Sequence, residues 1–210
     1  LYEIMGKALS SAPRVYWGPL FQAGLTEIAE KHVLFYMHEE KAQKGLESLN
    51  AAGRIRPYDG DYLHVNDTNF AGAKSNLYVQ EKVEQKIEVA SDGTITKTVK
   101  IDYTNPHPPS DCNLERGELC LNGLLRDLVR VYVPAGSELV ESRGSERKVE
   151  TKEDLDKTYF EAFVTVRPLG KASLEVKYRL PFRLAKGSPY ALFIQKQPGT
   201  DGQEYIVRVN

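Results

Sequence analysis

The chain has 210 residues, a length that fits one large domain or two small ones. Hydrophobic residues make up 41% of it and charged residues 27%, so it can bury a core and keep a solvated surface. Its 28 basic and 29 acidic residues leave a net charge of −1. That balance gives no electrostatic footprint for nucleic acid, which needs a basic face, and it argues against strong attraction to anionic lipid.

The start of the chain gives no targeting signal. No stretch reaches roughly 18 consecutive apolar residues, so no membrane-spanning helix is predicted. The chain begins at Leu1 rather than at a methionine, and its first ten residues lack the basic and apolar regions of an export signal. We therefore expect the interior or C-terminal part of a longer protein, with any signal or anchor upstream.

Residues 1–75 predict a mixed α/β segment, the end of a larger upstream domain. Three stretches have apolar residues at three- and four-residue spacing and predict helices: residues 1–12, 18–32 and 39–53. Gly53 is placed to end the third helix with a left-handed cap. A short apolar and aromatic run at 33–38 predicts a buried strand, and alternation at 61–67 predicts a second strand.

Residues 76–210 predict an antiparallel, immunoglobulin-like β-sandwich, which makes the fold class α+β. Asp92 and Gly93 form a strong hairpin signal between strands at 78–89 and 94–104. Seven further strand segments follow, separated by turn residues: 124–134, 137–142, 148–151, 158–168, 172–181, 190–198 and 204–210. Many short strands with turns between them are typical of two packed sheets.

Alternation and prolines define these strands further. Between residues 160 and 167 the apolar side chains predict one buried face and one wet face. The predicted inward residues are Phe160, Ala162, Val164 and Val166, and the predicted outward residues are Glu161, Thr165 and Arg167. Four segments end in a proline, which stops a ladder: Pro134, Pro168, Pro181 and Pro198. Pro198 with Gly199 also suits a type II turn between the last two strands.

The two cysteines, Cys112 and Cys120, lie close together in the sequence. A zinc site needs about four ligands and only His107 is near, while a redox pair has two intervening residues rather than seven. Gly117 between them can turn the chain, so we predict a local disulfide, with two free thiols as the alternative. A disulfide indicates an oxidising compartment, outside the cell.

The residues Gly-Ala-Lys-Ser at 72–75 resemble part of a phosphate loop. A Walker loop needs Gly-x-x-x-x-Gly-Lys-Ser/Thr followed by a helix. Here Ala73 separates Gly72 from Lys74, Asp67 stands where the first glycine would fall, and a strand follows. We predict no nucleotide and no other cofactor, and expect this segment to join the α/β segment to the hairpin.

Few polar residues suggest chemistry. The four histidines lie outside any recognisable nucleophile context. His38 and His64, with nearby carboxylates, are residue types that can bind a metal, but their spacing does not match a metal site. No catalytic, cofactor-binding or metal residue is predicted. We retain one candidate polar cluster: His38, His64, Asp67, Lys74 and Asn76.

Three motifs are distinctive in combination: residues 67–76 (DTNFAGAKSN), 130–139 (RVYVPAGSEL) and 195–200 (QKQPGT). With the segments between them, from His32 to the end, they resemble the C-terminal half of a bacterial family catalogued as domain of unknown function 4012. The resemblance implies an exported protein with an N-terminal membrane anchor and a larger upstream portion. It implies no activity and no catalytic residues.

We therefore expect a non-enzymatic extracellular module of a bacterial cell-surface or envelope protein, membrane-anchored in the full-length protein. Its partners would be other envelope proteins, a cell-wall polymer or further copies of itself, and no nucleic acid. Two alternatives remain open. The chain could support an envelope glycopolymer-processing enzyme whose catalytic region lies upstream, or it could be a subunit of a surface filament or layer.

Overall fold

The computed structural model of the chain describes residues 2–11, 13–200 and 202–210. In these ranges three α-helices precede ten β-strands, which form two five-stranded sheets, so the fold class is α+β. The chain divides into a helical unit, residues 1–54 with 198–201, and a strand unit, residues 55–197 with 202–210. The division falls before the first strand.

The three helices lie near their predicted positions: α1 (Tyr2–Ser11), α2 (Trp17–Ala29) and α3 (Glu40–Ser48). The Glu39 carboxylate caps α3 by accepting hydrogen bonds from the backbone N–H of Lys41 and Ala42, at 3.0 and 2.7 Å. Asn50, with φ 58°, is the left-handed residue directly after the C-cap Leu49. Gly53 is also left-handed, with φ 69°, but it lies three residues further on, so the cap predicted there was wrong. No helix in the described ranges combines the length and hydropathy needed to cross a bilayer.

Residues 33–38 form no strand, contrary to the prediction. The Phe35 N–H donates to the Ala51 carbonyl at 2.9 Å, which ties the segment to the residues after α3 without a ladder. Most of its apolar side chains are exposed, Tyr36 by 72%. The apolar run therefore has the composition of a strand, but it pairs with no neighbouring strand in the described residues.

The first sheet has five strands in the spatial order β6 (Glu150–Asp154), β7 (Lys157–Val166), β4 (Leu125–Pro134), β1 (Asp61–Asn69) and β9 (Leu192–Ile194). The second has the order β10 (Glu204–Val209), β2 (Gln80–Val89), β3 (Thr94–Thr104), β8 (Lys171–Arg183) and β5 (Glu138–Arg143). Most neighbours are antiparallel, as predicted. The pairs β1/β9 and β2/β10 are parallel, which corrects the expectation of purely antiparallel sheets.

The hairpin between β2 and β3 is confirmed. Gly93 turns it with φ 81°, and a Cβ there would lie 2.4 Å from the Leu184 carbonyl oxygen, so glycine is required. Pro134 ends β4 as predicted, whereas Pro181 lies inside β8. The register shifts beside Pro181, between the pairs Thr96/Arg179 and Thr94/Arg183. A bulge tolerates proline because it interrupts the ladder.

One hydrophobic core lies between the inward faces of both sheets. The first sheet contributes Leu63, Val65, Val129, Val131, Phe160, Ala162, Val164 and Val166, among others. The second contributes Val83, Ile87, Val99, Ile101, Leu174, Val176 and Tyr178, among others. The predicted one-sided alternation of β7 is therefore confirmed, with Glu161 and Thr165 on the partly exposed face.

Candidate functional site

The strand unit separates the predicted polar candidates that it contains. His64 and Asp67 both lie on β1, but an odd spacing puts them on opposite faces of the sheet. His64 is buried on the outer face, where its Nδ1 lies 2.9 Å from the Gln195 carbonyl oxygen. Lys74 and Asn76 are exposed in the loop after β1.

The remaining candidate, His38, belongs to the helical unit. Its ring is exposed and packs edge-on against Tyr36, with 5.3 Å between the ring centroids. A shallow groove on the same unit is lined by Lys7, Ser11, Pro13, Tyr16, Pro19, Leu20 and Ala23. That lining holds no carboxylate, histidine or cysteine, so it brings no acid–base pair together.

The Gly-Ala-Lys-Ser segment is a structural turn. The Asn69 side chain donates to the Ala73 carbonyl at 2.7 Å and accepts from the Ala71 N–H at 2.9 Å. Buried Ser75 fixes the next residues, since its hydroxyl donates to the Gly123 carbonyl at 2.9 Å and accepts from the Gly123 N–H at 3.0 Å. The Ala71 N–H and the Ala73 and Lys74 carbonyls thus bond within the protein.

The predicted disulfide is confirmed. Cys112 and Cys120 are joined with an S–S distance of 2.02 Å and a Cα–Cα distance of 4.2 Å. Gly117 turns the loop between them with φ 76°. Buried Asn122 holds the base of this loop by donating to the Pro108 carbonyl at 2.8 Å and the His107 carbonyl at 3.2 Å.

Three carboxyl groups meet between the sheets at one end of the core. They come from Asp67 on β1, Glu81 on β2 and Asp127 on β4, and we call them the carboxyl cluster. Asp127 is buried, while Asp67 and Glu81 are partly exposed. The charge of Asp127 acts on Asp67, and the charge of Asp67 acts on Glu81. Two of these residues were absent from the predicted polar cluster.

Neutral donors bond two members of the carboxyl cluster, whereas both oxygens of Asp127 are buried without a hydrogen-bond partner. The Tyr103 hydroxyl donates to Asp67 Oδ1 at 2.9 Å, and Gln203 Nε2 donates to Asp67 Oδ2 at 3.3 Å and to Glu81 Oε2. The Tyr205 hydroxyl in turn donates to Gln203 Oε1. Among the ion pairs of the described residues, none includes a member of the carboxyl cluster.

The carboxyl cluster retains protons near neutral pH. Burial, reinforced by the charge of Asp67, raises the pKa of Glu81 to about 8. Burial raises the pKa of Asp127 to about 6, and burial with the Asp127 charge raises the pKa of Asp67 well above its usual range. Like charges this close oppose each other's ionisation, so the three groups do not all ionise together at neutral pH.

The chemistry available to the carboxyl cluster is therefore proton binding. Groups that titrate near neutrality are suited to general acid–base work when a substrate can reach them. No group of three His, Cys, Asp or Glu side chains within the described part of the chain is arranged to hold a metal ion. The tyrosine and glutamine donors instead tie the cluster into the packing of both sheets.

A buried ion pair lies at the other end of the core. Lys97 on β3 donates from Nζ to Asp61 Oδ2 on β1, and the side chains of both residues are 0% exposed. The Tyr190 hydroxyl donates to the same oxygen. Asp61 Oδ1 and the Tyr178 hydroxyl are buried without a hydrogen-bond partner. Burial lowers the pKa of Lys97, and the charge of Asp61 opposes that shift.

Lys97 and Asp127 were not predicted as site residues, although their positions in the strands indicate that they point inward. Lys97 has even spacing from Ile95 and Val99, which are buried, so it must also point inward. Asp127 stands between Leu125 and Val129 in the same way. A charged residue in the apolar register of a strand therefore marks both ends of the core.

Comparisons with known proteins add little. No protein-family model matches the chain, and no curated protein matches it. A Legionella pneumophila protein described as nutrient binding aligns at 9% identity and a TM-score of 0.35, over 57% of this chain and 43% of that one. A mutant M1 zinc metallopeptidase from Deinococcus radiodurans, bound to a tripeptide substrate, aligns at 12% identity and a TM-score of 0.26. The alignment covers 50% of this chain and 23% of that one.

A second structure of the M1 zinc metallopeptidase from Deinococcus radiodurans aligns at 11% identity and a TM-score of 0.25, over 60% of this chain and 24% of that one. The chain thus spans less than half the length of each of these structures. Likenesses this weak assign neither a family nor an activity.

Proposed function

We propose that the chain is a non-enzymatic extracellular module of a bacterial cell-surface or envelope protein, with a structural, adhesive or assembly role. The Cys112–Cys120 disulfide carries this proposal, because such bonds persist in oxidising compartments and are rare in the cytoplasm. In the same proposal the two sheets form an immunoglobulin-like sandwich, an architecture shared by many cell-surface domains. The anchor would belong to the full-length protein.

Bonds between the sheets support a structural role. Asp67 in the first sheet accepts from Tyr103 in the second, and Asp61 in the first accepts from Lys97 in the second. The two contacts lie at opposite ends of the core and oppose sliding of one sheet over the other. A module that bears load between an anchor and a partner benefits from such links.

Surface labelling of intact cells tests the location. A membrane-impermeant, amine-reactive reagent should modify Lys148 and Lys186, which are exposed, and leave buried Lys97 unmodified. Peptide mapping by mass spectrometry reads out each site. Modification of Lys148 and Lys186 only after cell lysis would overturn the extracellular assignment.

Complementation of a gene deletion tests whether the exposed members of the candidate polar cluster act in catalysis. The variant carries His38→Ala, Lys74→Ala and Asn76→Ala, three changes at exposed positions that cost little stability. A module keeps the wild-type envelope phenotype with these changes. Loss of function in a protein that still reaches the surface and keeps its wild-type unfolding midpoint would favour a catalytic role.

The free edge of β10 favours self-association as a second candidate function. β10 ends its sheet, and Val207 and Val209 on it are 41% and 56% exposed. An exposed apolar edge strand can accept a strand from another molecule. Chromatographic size across protein concentration tests this, with Val209→Lys expected to weaken association and Val140→Lys, on the other edge strand β5, as the control. A monomer at every concentration would exclude the filament.

A further inference from the structure

Lys97 and Asp61 are placed for a reaction and not only for an ion pair. The Lys97 Nζ is in hydrogen-bond contact with Asp61 Oδ2, so it lies next to the carboxyl carbon to which that oxygen is bonded. The two side chains project from different sheets and are fully buried. Fixed proximity of this kind replaces an encounter in solution and can lower the reaction barrier substantially.

We propose that Lys97 Nζ and Asp61 Cγ join in an intramolecular amide bond that ties β3 to β1. This bond requires only the folded strand unit, so it does not depend on the proposed cell-surface function. It would be a covalent link between the two sheets of the core.

The surroundings favour the neutral amine that the reaction needs. An ammonium ion can donate three hydrogen bonds, and the described contacts of Lys97 are Asp61 Oδ2 and the Tyr178 ring, 5.8 Å from Nζ. Burial without more acceptors disfavours the charged lysine. Lysines desolvated in this way act as nucleophiles elsewhere in proteins.

The Asp61 carboxyl group is arranged to be attacked. The Tyr190 hydroxyl donates to Oδ2, the oxygen that Lys97 also contacts, while Oδ1 is buried without a partner. Two donors on one oxygen draw electron density from the carboxyl carbon and assist departure of that oxygen. This asymmetry selects Oδ2 as the leaving atom and Oδ1 as the amide oxygen.

The atoms balance without any other reactant. Lys97 first transfers one proton to Oδ2, which gives a neutral amine and a carboxylic acid. Nζ then attacks Cγ, a second amine proton passes to Oδ2 through the Tyr190 hydroxyl, and the Cγ–Oδ2 bond breaks. The products are the amide and one water molecule, and Tyr190 is unchanged. No oxidation or reduction occurs.

The intact mass of the full chain tests the proposal. After reduction of the disulfide and denaturation, the expected mass is lower than the sequence mass by one water molecule. Protease digestion should give one joined species that contains both the Asp61 and the Lys97 peptides. Purified folded protein that keeps the full sequence mass after prolonged incubation at neutral pH would overturn the proposal.

Variants assign the atoms. Lys97→Arg places a guanidinium that cannot form the bond, so that variant should have its full sequence mass. Asp61→Asn should form the same amide with loss of one ammonia instead of one water, a result that a simple ion pair cannot produce. A water-sized deficit that persists in Lys97→Arg would place the modification elsewhere and overturn the assignment.

Tyr190→Phe tests the proton path. This variant keeps the ring and removes the hydroxyl, so the amide should form at least tenfold more slowly, as followed by intact mass during refolding. Tyr205→Phe is the matched control, because its hydroxyl bonds Gln203 beside the carboxyl cluster, and it should react at the wild-type rate. Equal rates for Tyr190→Phe and wild type would overturn the role given to Tyr190.

Discussion

Asp61 and Asp67 point from the same face of β1 into the space between the sheets, but only Asp61 contacts a lysine. Six residues of extended strand place them about 20 Å apart. Asp61 contacts Lys97, whereas Asp67 lies near two further carboxyl groups, and the pKa values of these groups depend on one another. One end of the core therefore joins a carboxyl group to a lysine, and the other end brings carboxyl groups together that retain protons, so the stability of the unit depends on pH.

The carboxyl cluster should make the strand unit less stable as the pH rises. Glu81 and Asp127 have pKa values of about 8 and 6 in the folded state, above their ordinary values of 4.5 and 3.8. Between the ordinary and the raised values the folded chain binds more protons than the unfolded chain. The free energy of unfolding should therefore fall as the pH rises from about 4 to about 8.

Glu81→Gln checks this pH dependence. The neutral amide should raise the free energy of unfolding near pH 8 by about 1–2 kcal/mol and flatten its pH dependence, as measured by urea denaturation. Glu84→Gln is the control, since Glu84 faces solvent on the same strand and pairs with Lys82 and Arg208. A Glu81→Gln profile parallel to that of the wild type would contradict the expectation.

Two glycines with similar backbones should respond differently to alanine. Gly144 and Gly187 have φ values of 85° and 81°, which cost an alanine about 1–2 kcal/mol. A Cβ at Gly144 would lie 1.8 Å from the Ser173 carbonyl oxygen, whereas one at Gly187 meets open space. We expect Gly144→Ala to lower the free energy of unfolding by about 3–5 kcal/mol and Gly187→Ala by the backbone cost alone. Equal unfolding midpoints would contradict this.

Asn122 should stabilise the loop that precedes β4. Its side-chain amide donates to two carbonyls and accepts from Asn105 Nδ2 at 2.8 Å, all in a buried environment. Asn122→Ala leaves these groups unpaired and should lower the free energy of unfolding by about 1–3 kcal/mol. Asn76→Ala, at an exposed position, should change it by less than about 0.5 kcal/mol. Thermal unfolding of both variants measures the difference, and matching midpoints would contradict it.

The disulfide should make a smaller contribution than its presence suggests. Cys112 and Cys120 are eight positions apart, and closing so short a loop stabilises by at most about 2.5 kcal/mol in the chain-entropy model. The double change Cys112→Ser and Cys120→Ser should therefore lower the urea midpoint without preventing folding. Reduced wild type should match the double variant, and an unfolded double variant would show that the loop organises the sheets.

Local patterns predicted most strands correctly because alternation and turn residues act within a few positions. The hairpin at Gly93 and the buried face of β7 follow directly from such patterns. The parallel pairs β1/β9 and β2/β10 could not be predicted in this way. They join strands more than a hundred residues apart, and no short segment encodes which distant strand it will meet.

The candidate site was only partly predictable. Asp67 was named from its loop, but its partners Glu81 and Asp127 come from two other strands, so only the folded sheets bring them together. Lys97 was not predicted as a site residue, because the evenly spaced apolar residues around it are enough to predict the strand. Residues 33–38 have the apolar composition of a strand but form none, because composition alone does not supply a neighbouring strand to pair with.

The parallel pairing of β10 with β2 determines how a pull on the C-terminal end of β10 would be resisted. β10 is a six-residue strand aligned with β2 from Glu204 to Val209. Tension between Asn210 and the N-terminal end of β2 would run along both strands, so the backbone hydrogen bonds of the pair would be loaded together in shear. An antiparallel hairpin pulled from its open end would separate one bond at a time. The last strand is thus oriented as a mechanical clamp.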